Sequence, residues 1–216
     1  MAEIWIQEEK ITEKFLDEIG HYTNFNGSIK SVYYIGEVSQ GDYVEHNKQF
    51  LQDFLIVQDK YPLYFTFITY SEKITDDFIV LFDKYQYDYT FTYLEEKNTF
   101  FTVKIINPCD LKLILDETYW LPTQNEFYAI SYSDNLTIQL KDVIEWGSKM
   151  KRALPIFKID LETTFITIFH DGAGFYLFSN EERYSTVERL CSNFPKETEI
   201  SQKNDTLVSK SGITEE

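Results

Sequence analysis

KYQYDYTFTYLEE, residues 84–96, carries an aromatic at every odd position from 85 to 93: Tyr85, Tyr87, Tyr89, Phe91 and Tyr93. Gln86, Asp88, Thr90 and Thr92 stand between them. Successive side chains of a strand point to opposite faces, so this period of two predicts a strand with one aromatic face. Glu95-Glu96-Lys97-Asn98 then turns the chain and TFFTVKII (99–106) returns, giving a β-hairpin over residues 86–106. Two readings of the aromatic face are open. It can form the core side of a sheet. Alternatively, since four of the five rings are Tyr, whose hydroxyls need water or a partner, it forms a strip at a rim where another molecule binds.

Working outward, the same reasoning assigns the neighbours. Ile11, Phe15 and Ile19 recur at spacing four, predicting a short helix over 8–19 that Gly20 ends. IKSVYYIG (29–36) reads as a strand. Phe50, Leu51, Phe54, Leu55 and Val57 trace one stripe of a helix over 44–60, with Asp42 as its cap. LYFTFITY (63–70) has apolar residues on both faces, as a central strand does. Thr75-Asp76-Asp77 resembles a helix start, and Asn107-Pro108 opens another helix through Leu111, Ile114 and Leu115.

EFYAISY (126–132) and LTIQL (136–140) are expected to pair as a second hairpin, and DVIEWGSKMKRA (142–153) to form a short helix. Residues 157–161 and 164–170 read as strands, HDGAG (170–174) as a turn, GFYLFS (174–179) as the return strand, and 181–193 as a last helix. From residue 195 the composition becomes polar and loses its aromatics, which predicts a disordered acidic tail over 195–216. The expected fold class is therefore α+β, a mainly antiparallel mixed sheet with packed helices in a single domain over residues 1–194.

The chain of 216 residues has 36 acids and 20 bases, a formal net charge of −16, of which the tail holds only a small share. Phosphate binding needs clustered Lys and Arg, so this balance argues against nucleic acid as a direct ligand and against an anionic membrane. It favours a basic protein partner, whose encounter opposite charge accelerates. MAEIWIQEEKITEKF has acids where a signal peptide needs bases, and Cys109 and Cys191 stand far apart as buried thiols, so a cytoplasmic location is expected.

Candidate chemistry is sparse. The sequence contains no HxxxH, CxxC, acidic calcium loop, phosphate loop or nucleophile elbow, so no metal, cofactor or catalytic residue is assigned. His170-Asp171 sits at the end of an apolar strand beside glycines. With Glu37 past the first strand it offers an alternative pocket for a small enzyme, although DGAG is also ordinary turn chemistry. The preferred partner-binding residues are Tyr87, Asp88, Tyr89, Glu95 and Glu96.

TFITIFHDGAGFYLFSNEERYSTVERL (164–190) combines an apolar strand, a D-G turn, an aromatic strand and a closing helix. With the order of elements before it, this resembles small acidic bacterial immunity and antitoxin proteins of prophage and toxin loci. The resemblance implies a cytoplasmic protein that masks a basic toxin by occlusion. A phage-type inhibitor of a host defence or DNA-handling protein is a second reading, and an enzyme around His170 and Asp171 a third.

Overall fold

A computed structural model of the chain describes residues 3–19, 23–37, 42–94, 98–145, 148–204 and 206–207. The fold is α+β, as the element pattern predicts. A large sheet of ten strands forms its middle layer. In chain order the strands of that sheet are β1 (Glu3–Glu8), β3 (Ser31–Glu37), β4 (Leu63–Thr69), β5 (Asp88–Tyr93), β6 (Thr99–Ile105), β7 (Tyr128–Ser131), β10 (Thr164–Ile168), β11 (Phe175–Ser179), β12 (Glu199–Lys203) and β13 (Thr206–Leu207). Their spatial order is β13-β12-β1-β3-β11-β10-β7-β4-β6-β5, antiparallel throughout except where β1 and β12 run parallel. A smaller sheet holds β2 (Asn24–Asn26), β8 (Leu136–Glu145) and β9 (Ser148–Lys158) in the order β2-β9-β8.

Alternation along the central strands explains the layering. Tyr33, Ile35, Ile130, Ile166, Phe175 and Leu177 point to one face, into the larger core. The helices α2 (Tyr43–Gln58), α3 (Glu72–Tyr85), α4 (Pro108–Thr118) and α5 (Val187–Ser192) contribute Phe50, Phe54, Phe78, Phe82, Leu111, Ile114 and Leu190 to it. Val32, Ala129, Phe165 and Phe178 point the other way, where Phe15 of α1 (Glu13–Ile19) and Phe157 of β9 cover them. Three rings stack across that second boundary: Phe157 on Phe165 at 3.7 Å and Phe165 on Phe178 at 4.6 Å between centroids.

Helix ends follow the local chemistry. Asp42 accepts the Glu45 N–H at 3.3 Å, and Asn107 accepts the Asp110 N–H at 3.0 Å ahead of Pro108. α3 starts earlier than Thr75-Asp76-Asp77 predicts, because Ser71 caps it through the Ile74 N–H. Thr75 is instead buried, and its hydroxyl lies 2.8 Å from that of Thr69 and donates to that of Thr99 at 3.0 Å.

The structure corrects four further expectations. β7 does not pair with β8; it enters the large sheet between β10 and β4. Residues 142–145 and 148–153 are not helical but extend the long antiparallel pair β8–β9, in register from Leu136 opposite Phe157 to Glu145 opposite Ser148; Trp146 and Gly147 lie outside the described residues. Cys109 is exposed rather than buried, since it occupies the first turn of α4 on the side away from Leu111 and Ile114; Cys191 is half-buried, and both thiols are free. Finally, residues 199–203, inside the expected tail, form β12, where Ile200 packs on the larger core and pairs with Ile4. β1 itself was not anticipated, although Ile4 and Ile6 alternate with Trp5 and Gln7. Among the described residues no helix is long and apolar enough to cross a membrane.

Candidate functional site

The 84–96 stretch is not one uninterrupted strand. Tyr85 closes α3, Gln86 adopts a left-handed conformation (φ 55°), and the strand proper is β5. β5 is one of the two end strands of the large sheet, and among the described residues it pairs with β6 alone. Its odd side chains do face α3, but the cover thins along the strand. Phe82 packs 6.1 Å from the ring of Tyr87 and 5.3 Å from that of Tyr89. Beyond them Phe91 lies over Phe101 and is 38% exposed, and Tyr93 is 65% exposed. The aromatic face is thus divided: the Tyr87 end packs on the core, and the Tyr93 end is an exposed rim.

The polar groups here are mostly acidic. The Tyr89 hydroxyl donates to Asp83 Oδ1 at 2.8 Å, and burial followed by that carboxylate raises its pKa. Tyr87 has a buried hydroxyl without a hydrogen-bond partner among the described residues, and burial, reinforced by Asp110, pushes it up to about 12. Asp88 is exposed and reaches Lys104 on β6 at 3.6 Å, a pairing worth at most about 1 kcal/mol at such a site. At the other end of the strand a cavity of about 440 Å³ is lined by Glu72, Thr75, Asp76, Tyr93 and Leu94. Glu72, Asp76, Ile79 and Asp83 recur at spacings of four, three and four, so they form one stripe of α3 along the β5 flank. Sequence reasoning missed this stripe because it started the helix too late to include Glu72.

Of the expected partner-binding residues, Tyr87, Asp88 and Tyr89 share this edge, while Glu95 and Glu96 lie outside the described residues. For the alternative pocket, the β3–β11 register sets Phe175 opposite Ile35, which brings the backbone of Glu37 level with the 170–174 turn. Asp171 is exposed in a left-handed conformation (φ 60°), and its N–H donates to Asn125 Oδ1 at 3.3 Å. Gly172 and Gly174 both take positive φ, at 72° and 149°. The side chains of Glu37 and His170 lie outside those described.

A second polar cluster was not legible in the sequence. Glu181, whose side chain is 15% exposed, accepts from Lys60 Nζ at 2.9 Å, Thr164 Oγ1 at 2.6 Å and Arg183 Nε at 3.0 Å. Gln58 Oε1 accepts from Arg183 Nη1 at 3.1 Å and from the Tyr184 hydroxyl at 2.6 Å. Lys60 and Arg183 also lie over the ring of half-buried Tyr132, at 5.2 and 5.9 Å. Burial opposes ionisation of Glu181, but the Thr164 hydroxyl, Lys60 and Arg183 outweigh it and hold the carboxyl below its usual range. A carboxylate kept ionised between two cations neither gives nor takes a proton near neutrality. This cluster, beside a cavity of about 450 Å³, is therefore a clamp between the end of α2 and the β10–β11 hairpin.

Among the described residues no group of three or more His, Cys, Asp and Glu side chains is placed to hold a metal ion. Comparison with protein-family models, with curated proteins and with solved structures finds no match to this chain.

Proposed function

We propose that this chain is a protein-binding protein of the immunity or antitoxin kind, which masks a basic partner by steric occlusion. The observation that carries the reading is the open β5 edge: partly exposed aromatics beside an acidic helix stripe, on a chain of net charge −16. Aromatic anchors supply most of the binding energy at protein interfaces, and complementary charge supplies on-rate and discrimination. The segment from Glu72 to Lys97 contains seven acids and three lysines, which repels acidic surfaces and attracts basic ones.

The test is stopped-flow association with the product of the adjacent gene. The on-rate falls steeply from about 0.01 M to about 1 M salt, as the Debye length shrinks from about 30 Å to about 3 Å. Reversing Glu95 and Glu96 to Lys slows association at low salt and leaves dissociation nearly unchanged. An on-rate indifferent to salt and to both reversals would refute steering by this surface.

A further inference from the structure

β5 ends the large sheet, and the phase of its ladder can be read from one bond. Leu94 N–H donates to the Asn98 carbonyl at 2.8 Å, continuing the register in which Tyr93 faces Thr99 and Thr92 faces Phe100. In an antiparallel pair, bonded and non-bonded positions alternate. Even residues of β5 therefore exchange bonds with β6. Tyr89, Phe91 and Tyr93 turn their N–H and C=O groups outward, three donors and three acceptors over about 14 Å of free edge.

Exposed edges are normally guarded by Lys, Pro, a bulge or a covering segment. DYTFTY has no Lys and no Pro, and its pairing with β6 is unbroken from Asp88 to Tyr93. Its one charge, Asp88, sits at the first position. The edge is built to accept a strand, and its surroundings say which kind. A strand laid beside β5 places every second side chain on the α3 side, against exposed Phe91 and Tyr93 and the carboxylates of Glu72, Asp76 and Asp83.

We propose that β5 takes an extended, alternately basic segment of the partner protein as an eleventh strand, with main-chain bonds to Tyr89, Phe91 and Tyr93 and Lys or Arg side chains on the α3 stripe. Same-face positions on a strand repeat about every 7 Å, so three successive cations span about 14 Å. Glu72 and Asp83 are eleven residues apart on the helix, or roughly 16 Å, which matches that reach. The rings of Phe91 and Tyr93 add cation–π contacts to the same side chains. A second copy of this chain fits worse, because two-fold pairing of β5 with itself brings two acidic stripes together. The inference rests on the basic-partner reading and specifies how that partner is held.

The experiment uses the full chain and a short synthetic peptide alternating Lys and Val, with a Glu–Val peptide as control. Amide hydrogen exchange at low salt is expected to slow about tenfold at Tyr89, Phe91 and Tyr93 when the Lys–Val peptide is added, with Thr90 and Thr92 unchanged. Phe91→Pro deletes an outward N–H without touching the β6 ladder, so it weakens the peptide about fivefold more than Phe91→Ala, which deletes the ring alone. Binding without protection of the three amides, and equal for the two variants, overturns strand addition and leaves the basic-partner reading standing. The same amides protected without peptide, increasingly with protein concentration, assign the edge to a second copy and overturn the proposal. No binding of the Lys–Val peptide even at low salt overturns both.

Discussion

Replacing Glu181 by Gln isolates the electrostatic part of the clamp behind β10 and β11. Gln keeps the shape and can still accept from Thr164, but it leaves Lys60 and Arg183 without a counter-charge. Removing one partner of a fully buried ion pair costs about 3–5 kcal/mol, and an exposed pair is worth about 0–1 kcal/mol. The side chains of Glu181, Arg183 and Lys60 are 15%, 29% and 40% exposed, which places this cluster between those limits. The expected loss at neutral pH is about 2 kcal/mol, or a fall in Tm of about 4–8 °C for a chain of this size. The sign with pH follows from the lowered carboxyl pKa. The stability it contributes is fully present above the unfolded-state value and is lost as pH falls through the folded-state value. Urea unfolding of both proteins, followed by fluorescence from about pH 7 down to about pH 3, spans the carboxylate range. The gap between wild type and E181Q narrows toward the acid end. A gap that stays constant across that range, or one absent at neutral pH, refutes the charge argument.

Gly174→Ala forces a residue with a side chain to φ 149° and sets its Cβ 2.6 Å from the Ile35 carbonyl oxygen, so it costs at least about 1–3 kcal/mol in urea unfolding. Phe82→Ala removes a fully buried ring that touches those of Phe67, Phe78, Tyr87, Tyr89 and Phe101. It lowers stability by about 3–5 kcal/mol, and exchange of the β5 amides accelerates ahead of the central strands.

Local patterning made the α+β class readable. Phe50, Leu51, Phe54 and Leu55 mark α2, Asn107-Pro108 marks the start of α4, and Thr164–Ser179 with its D-G turn marks the β10–β11 hairpin. Pairing between distant strands leaves no such local mark. Residues 126–140 look like a hairpin because a polar turn separates two β-prone runs, yet β7 gains more by lying between β4 and β10, buried on both faces. Residues 142–153 mix apolar and basic residues at spacings compatible with a helix, and only cross-strand pairing makes 142–145 and 148–153 extended. Tyr85 falls into phase with Tyr87 by position alone, since the left-handed turn at Gln86 separates helix from strand. At the candidate site, Tyr87, Asp88 and Tyr89 were visible in sequence as an alternating polar and aromatic run. The acidic stripe of α3 was also present in the spacing, but its meaning depends on which strand lies beside it. Lys60 and Glu181 meet across more than a hundred residues of chain, a proximity no short motif encodes.

β1 lies between β3 and β12, so its outer margin is supplied by residues 199–203. Ribosomes add about 5–20 residues per second, so roughly 10–40 s separate the synthesis of the first strand from that of its parallel partner. During that interval the nascent chain carries Ile4 and Ile6 on a strand with one side bare, in addition to the side of β5 that no described strand covers. Arrival of residues 199–203 therefore covers the margin at Ile4 and Ile6, whereas the margin on the acidic helix's flank stays uncovered among the described residues.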